Sequence, residues 1–178
     1  MISVSIAVPA PFAGDLQRLR GSFGDPSAKS IPTHVTLLSP TEIIDDQIPE
    51  IHEHLERVAA EQQPFTMRLR STGTFRPVSP VVFVQVAGGI SECERIEQAI
   101  RTGPLKRDVR FYYHPHVTIA HLVDDAAMDR AFNELASYDC SFEVAGFHLY
   151  AHGDDLVSRA VRNFDFNAGV KSQPGRLP

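Results

Sequence analysis

The chain of 178 residues suits one domain, or two small lobes that share a core. Hydrophobic residues make up 43% and charged residues 22%, an ordinary globular composition that excludes a disordered chain or a coiled coil. The formal net charge of −5 argues against a protein that coats duplex nucleic acid, since such proteins need a basic face. Any nucleic-acid ligand is therefore expected to be a nucleotide, a strand end or a single strand.

The cysteine content and the apolar runs favour an intracellular protein. Cys93 and Cys140 have neither CxxC nor metal-site spacing, in line with free thiols in a reducing compartment. The opening apolar run has no basic residues before it, and no stretch reaches 18 apolar residues. We expect a cytoplasmic monomer with no membrane partner.

The first half of the chain alternates predicted strands with predicted helices. β-Branched residues dominate the opening stretch, which is typical of a strand. Apolar residues then recur at helical spacing, at Phe12, Leu16, Leu19 and Phe23. Strands are predicted at 2–8, 33–39 and 64–75, and helices at 11–24 and about 47–62.

The second half repeats this order and adds a strand. Ser91 and Glu94 have the spacing of a capping box, and Gly103 closes the same helix. Gly153-Asp154-Asp155 predicts a turn between the last two strands, and 167–178 resembles a frayed tail. Strands are predicted at 80–88, 116–122, 141–151 and 156–166, and helices at 91–103 and about 124–138.

The layout β-α-β-α-β followed by β-α-β-α-β-β is a duplication. In each half the second strand begins with His-Val-Thr, and a later strand begins with Phe, at Phe65 and Phe142. A pseudo-twofold arrangement would bring the two second strands together at a central cleft. We expect one bilobal domain over 1–166, with lobes at about 1–79 and 80–166.

The repeated tripeptide lies in "HVTLLSP" (34–40) and "HVTIAHL" (116–122). Residues i and i+2 of a strand share a face, so His34 and Thr36 are expected to point away from Val35. The same alternation places His116 and Thr118 on one face of their strand. Two such strands side by side would present two imidazoles flanking two hydroxyls.

This constellation suits in-line displacement at phosphorus. One neutral imidazole takes a proton from water, and the opposite imidazolium protonates the leaving oxygen. The threonine hydroxyls donate hydrogen bonds to the non-bridging oxygens, where charge develops. The chemistry needs no metal, and the two motifs are too alike to say which histidine is the base.

The tandem motifs "HVTL" and "HVTI" resemble those of the 2H phosphoesterase superfamily, in particular its 2′-5′ RNA ligase-like branch. "GTFRPVSPVVFVQV" (73–86) and "HPHVTIAHL" (114–122) support the resemblance, which spans about 2–166. It implies a bilobal α+β fold with antiparallel-rich sheets around a central cleft, and no cofactor. It also implies His34 and His116 as the catalytic pair, with Thr36 and Thr118 as phosphate binders.

The resemblance further implies metal-independent chemistry on 2′,3′-cyclic phosphates, 2′-5′ linkages or related nucleotide esters. We expect hydrolysis of such an ester on a nucleotide or an RNA end. RNA 2′-5′ end joining in the same site and a non-catalytic nucleotide- or RNA-binding module stay open as alternatives. Relatives often carry Arg just after the second motif, where this chain has His121, so His121 is a candidate substrate contact.

Residues before the second motif are further candidates. His114 would either orient His116 or contact the substrate, and otherwise it is a loop residue. Tyr113 and its neighbour Tyr112 lie beside three basic residues and would suit a lid over an anionic ligand, although a basic loop is more often solvated. The three basic residues are Lys106, Arg107 and Arg110.

Several other residues have a structural interpretation that competes with a functional one. His52 and His54 have the spacing of a metal-binding pair. They are two apart on a predicted helix and do not face each other, so a shared metal ion is not expected and a solvated helix face is. Phe75, like Tyr112 and Tyr113, would stack on a base, but core packing is the preferred role for Phe75. Three alternating residues, at the end of the predicted strand 141–151 or just beyond it, share one face. They would line the cleft or form an exposed polar face, with a slight preference for the exposed face: His148, Tyr150 and His152.

Overall fold

The computed structural model describes residues 1–109, 111–153 and 157–167, which form an α+β protein. Its strands are β1 (Ile2–Ala7), β2 (His34–Thr41), β3 (Phe65–Thr74), β4 (Val81–Gly88), β5 (His116–His121), β6 (Asp139–Val144), β7 (Gly146–His152) and β8 (Ser158–Asp165). Its α-helices are α1 (Phe12–Ser22), α2 (Ile48–Ala60), α3 (Ile90–Ile100) and α4 (Asp125–Glu134). Arg110, the Asp154-Asp155 turn, the predicted strand start at Leu156 and the tail from 168 onwards lie outside the described residues.

The eight strands form one curled antiparallel sheet in the order β6-β3-β4-β5-β2-β1-β7-β8. The sheet has two halves of four strands, β6-β3-β4-β5 and β8-β7-β1-β2, each given from its edge inward. The halves meet where β2 pairs with β5. The duplicated α+β architecture predicted from the sequence is thereby confirmed.

The two segments of the duplication interleave in the sheet. β3 comes from the first segment but pairs with β4 and β6 of the second. β7, from the second segment, pairs in turn with β1 of the first. The lobe division near residue 79 stays a prediction. It does not coincide with the boundary between the two halves of the sheet, because each half contains strands from both segments.

The single strand predicted over 141–151 is wrong, because two strands, β6 and β7, meet at Ala145. β6 lies on one edge of the sheet beside β3, whereas β7 pairs with β1 in the opposite half. Gly146 permits the change of direction, since a Cβ there would lie 2.5 Å from the Phe164 carbonyl oxygen. The strand equivalent to β3 by position in the sheet is therefore β7, and not the Phe142 strand suggested by the sequence.

The four helices cover the face of the sheet opposite the His-x-Thr motifs. Val35, Leu37, Val117 and Ile119 are all buried in the same core as the apolar stripes of the helices. Because the side chains alternate along β2 and β5, this burial leaves the histidines and threonines on the uncovered face. No helix within the described residues has the length and apolar content that crossing a membrane would require.

Helix α3 begins differently from the sequence prediction. Its N-cap is Gly89 in the left-handed region at φ 87°, with no side-chain capping bond, so the capping box of Ser91 and Glu94 is wrong. A Cβ at Gly89 would lie 2.7 Å from the Phe65 ring, which explains why the chain needs glycine there. Helix α4, by contrast, has the side chain of Asp124 accepting from the Ala127 amide.

A buried ion pair fixes the loop that leads into β2. Arg20, on α1, donates from Nε to Asp25 at 2.9 Å and from Nη1 to the Ile31 carbonyl at 3.3 Å. Asp25 also accepts from the Ser27 amide at 2.8 Å. Both charged residues are only 4% exposed, so each depends on the other for compensation.

Replacing Arg20 with Met is expected to lower the free energy of unfolding by about 3–5 kcal/mol, because it leaves a buried carboxylate without its partner. Urea denaturation measures the change. Arg18→Met is the matched control, since Arg18 forms an exposed pair with Asp15 whose loss should cost less than about 1 kcal/mol. Equal effects of the two substitutions would contradict a stabilising role for the buried pair.

Candidate active site

The two His-x-Thr motifs lie side by side at the centre of the sheet. β2 pairs with β5 through Val35 and Val117, the middle residues of the two tripeptides. In an antiparallel pair this register sets His34 beside Thr118 and Thr36 beside His116. The adjacency predicted from the duplication is therefore confirmed. All four polar side chains are half-buried.

Both imidazoles are held in the same way. Nδ1 of His34 donates to the Pro32 carbonyl and Nδ1 of His116 donates to the His114 carbonyl, each at 2.7 Å. A carbonyl only accepts, so each Nδ1 carries a hydrogen and each Nε2 is left for chemistry. Nε2 of His34 also lies 3.1 Å from Oγ1 of Thr36.

The environment lowers the pKa of both histidines below the ordinary value near 6.5. Burial is the largest cause in each case, and the bond to the backbone carbonyl opposes it. Nearby positive groups lower the pKa further, Arg20 and His152 acting on His34, and His114 and His34 acting on His116. Both shifts favour the neutral form of each ring at neutral pH.

A large cavity of about 720 Å³ opens on the His116 side, and we call it the aromatic cavity. The His116 ring packs against Phe75 and Phe83, with centroids 5.0 and 4.9 Å apart. The His114 ring contacts the same two phenylalanines. Phe75 thus lines the cavity instead of the core, and the core role expected from the sequence is wrong.

A smaller cavity of about 170 Å³ lies on the His34 side, and we call it the polar cavity. Ser3 and Ser5 of β1 and Tyr150 and His152 of β7 line it together with His34. Oγ of Ser3 lies 2.7 Å from Nε2 of His152. The preference for an exposed polar face in this strand was therefore wrong for Tyr150 and His152, which line the cavity.

Tyr113 contacts the backbone of β2 beside the aromatic cavity. Its hydroxyl donates to the Thr36 carbonyl at 2.9 Å, and burial raises its pKa far above the usual range. The side chain lines the aromatic cavity, but its hydroxyl already donates to the backbone of β2. Tyr112, in contrast, is 99% exposed at the cavity rim, where it suits the lid role expected from the sequence.

A bulge in β5 decides where His121 points. Val82 pairs with Ala120 and Phe83 with Thr118, so Ile119 is the extra residue. Because of this extra residue, His121 pairs with Val81 and shares the sheet face of Phe83 and Thr118. Neither His121 nor Thr118 is among the residues that line the two cavities.

Other polar side chains outside the two motifs have structural partners. His54 is buried and donates from Nε2 to the Ile100 carbonyl at 3.0 Å, so the solvated helix face expected there is wrong. Arg68 binds Asp139, and Arg76 binds Asp129 at 2.7 Å. Within 1–109, 111–153 and 157–167, no group of three or more His, Cys, Asp or Glu residues is arranged to hold a metal ion.

Three residues of the site were not predicted from the sequence. Phe83 lies in an apolar run that hides its face, although the alternation of Val81, Phe83 and Gln85 was a signal for it. Ser3 belongs to a strand whose polar positions alternate with buried valine and isoleucine. Arg101 carried no sequence signal, because its place on the cavity wall depends on how helix α3 packs.

The family match and the paired motifs define the class of protein as the 2H phosphoesterases. Within that class, the chain belongs to the 2′-5′ RNA ligase superfamily, whose family model matches residues 8–156. The match includes both His-x-Thr motifs and most of the chain. The resemblance identified from the motifs is therefore confirmed at the level of the family.

Relatives and solved structures agree with this assignment. A Bacillus cytotoxicus protein named "Putative phosphoesterase" is 29% identical over 149 residues, 83% of this chain and 86% of the relative. A similarly named Bacillus licheniformis protein is 29% identical over 127 residues, 70% and 75% of the two chains. E. coli LigT complexed with 3′-AMP shares the fold, with a TM-score of 0.69, 17% identity and coverage of 93% and 97%.

Nuclear magnetic resonance titration of the imidazole nitrogens tests the histidine geometry. His34 and His116 should both titrate below the ordinary value near 6.5, because burial disfavours the charged ring. At neutral pH both should carry the proton on Nδ1, which the backbone carbonyls require. His34→Gln and His116→Gln assign the signals. A ring protonated on Nε2 at neutral pH would contradict the geometry.

Proposed function

We propose that the protein hydrolyses a 2′,3′-cyclic phosphate, or a related nucleotide or RNA-end ester, by two-histidine general acid–base catalysis without a metal. The observation that carries the proposal is the Val35–Val117 register, which brings the two His-x-Thr motifs side by side on one face of the sheet. Their Nε2 atoms, left available by the Nδ1 bonds, would exchange protons with the substrate.

The reaction follows from the two available nitrogens. The neutral imidazole accepts a proton from water as the water oxygen bonds to phosphorus. The bond from phosphorus to one ring oxygen breaks, and the imidazolium of the second histidine protonates that oxygen. Thr36 and Thr118 would donate hydrogen bonds to the non-bridging oxygens, whose negative charge grows during the displacement. One histidine must be neutral and the other protonated at the start.

The cavities and the relatives support a nucleotide as the substrate. The aromatic cavity offers phenylalanine and tyrosine rings beside His116, on which a base can stack. The crystal structures of E. coli LigT include complexes with 3′-AMP, NADP+ and ATP. A cavity of about 720 Å³ lies within the usual range for small-molecule sites.

Replacing either His34 or His116 with Ala should lower kcat by at least about 10²-fold, since each supplies one proton transfer. Turnover of a panel of 2′,3′-cyclic nucleotides, followed by phosphorus NMR, measures the loss and assigns the product. His52→Ala is the control, because His52 lies on helix α2 away from both cavities. The wild-type rate should persist in EDTA.

Full activity in either histidine variant would rule out paired catalysis. A 2′-5′ linked product from RNA fragments, in place of a monoester, would identify end joining as the reaction instead. Tight nucleotide binding without turnover of any cyclic substrate would leave a binding module as the function.

The pH dependence of kcat/KM gives a second test of the paired mechanism. The reactive form has one protonated and one neutral histidine, so it is most abundant between the two pKa values of the free enzyme. Both values lie below the ordinary 6.5. We expect a bell-shaped profile with its maximum below pH 6.5 and a decline through neutral pH. A maximum on the alkaline side of neutrality would contradict this assignment.

A further inference from the structure

The aromatic cavity contains more positive charge than its role as a base pocket requires. Besides its apolar walls, it is lined by Glu97, Arg101 and Arg107. Glu97 is only 4% exposed and forms an ion pair with Arg101 through both carboxylate oxygens. This pair is neutral as a whole, so Arg107 contributes one positive charge to the wall.

The guanidinium of Arg107 is anchored but not neutralised. Nη1 donates to the Ser39 carbonyl at 3.4 Å and to the hydroxyl of Thr41, which are both uncharged oxygens. Among the described residues, its Nε and Nη2 groups donate to no acceptor. Arg101 in turn holds the Arg107 carbonyl from Nη1 at 3.4 Å. The side chain is therefore held in place, and three of its N–H donors have no acceptor within the described part of the chain.

A half-buried cation with free donors costs free energy unless a ligand compensates it. The planar guanidinium matches the geometry of phosphate, which it binds through two parallel hydrogen bonds. The nearby carboxylate, Glu97, is already occupied by Arg101. The chemistry of this end of the cavity therefore favours a phosphate group.

The position of Arg107 sets the distance from the reacting phosphate. Arg107 binds β2 at Ser39, three residues beyond Thr36. The register between β1 and β2 shifts here, so Leu37 is an extra residue and the rise from Thr36 to Ser39 is that of about two strand residues, about 7 Å. The apolar walls of the same cavity include Leu37, Phe75 and Val109. In a nucleotide with a phosphate on each side of one ribose, only the sugar separates the two phosphates, and the base projects to one side.

We propose that Arg107 forms a subsite for a second phosphate, so that the preferred substrate is a nucleotide with a phosphate on both sides of one ribose. This inference rests on the proposed function. The cyclic phosphate lies at His34 and His116, and the 5′-phosphate of the same nucleotide binds Arg107. The preferred substrate thus carries a 5′-phosphate in addition to the cyclic phosphate, in contrast to a cyclic nucleoside phosphate alone.

Calorimetric binding of adenosine 3′-monophosphate and adenosine 3′,5′-bisphosphate tests the subsite without turnover. The wild type should bind the bisphosphate at least about tenfold more tightly, the effect of a charge-assisted hydrogen bond. Arg107→Gln should abolish that preference while leaving the affinity for the monophosphate unchanged. Lys106→Gln removes a neighbouring exposed charge that does not line the cavity and should keep the preference.

A further variant separates charge from anchoring. Thr41→Val removes the hydroxyl that Arg107 binds but retains the guanidinium, so the preference for the bisphosphate should persist. Equal affinities of the wild type for the two nucleotides would overturn the subsite. So would an equal loss for both nucleotides in Arg107→Gln, or the absence of binding.

Turnover distinguishes this inference from the function on which it rests. The wild type should hydrolyse 5′-phosphoadenosine 2′,3′-cyclic phosphate with a kcat/KM at least about tenfold above that of adenosine 2′,3′-cyclic phosphate. Arg107→Gln should remove the difference through KM. Hydrolysis of both substrates at one rate would overturn the subsite but retain the enzyme. A binding preference without hydrolysis of either would retain the subsite and overturn the proposed reaction.

Discussion

The pairing of β2 with β5 through Val35 and Val117 holds the candidate active site together, because each strand carries only half of it. The buried valines fix the register, and the register in turn sets which histidine lies beside which threonine. A slip of one residue would turn the histidines into the core and the valines towards the substrate. The core and the chemistry are therefore specified by the same two strands.

The two halves of this symmetric centre have diverged in their surroundings. His116 is enclosed by rings from Phe75, Phe83 and His114, whereas His34 faces hydroxyls and His152. Equivalent positions on β1 and β4 hold Ser5 beside Thr36 and Phe83 beside Thr118. The two histidines thus lie between an apolar and a polar cavity, so the two sides of the candidate site differ in chemistry.

The alternation of residues in single strands predicted much of the fold and the central pair, because burial of Val35 and Val117 dictates where His34 and His116 point. Features that depend on distant pairing were not predictable. The division at Ala145 follows from β6 and β7 joining opposite halves of the sheet. The position of Arg107 depends on the path of a loop, and its neighbouring basic residues look the same in the sequence.

The interleaving of β3 and β7 also has a consequence for how the chain folds and how it can be divided. The first segment contributes β3 to one half of the sheet and the second contributes β7 and β8 to the other, so neither has a complete set of strand partners when alone. Folding must form contacts between residues far apart in the sequence, which slows it relative to a protein built from local pairings. A duplicated chain of this kind is bound into a single cooperative unit, and its two repeats cannot be exchanged as independent modules.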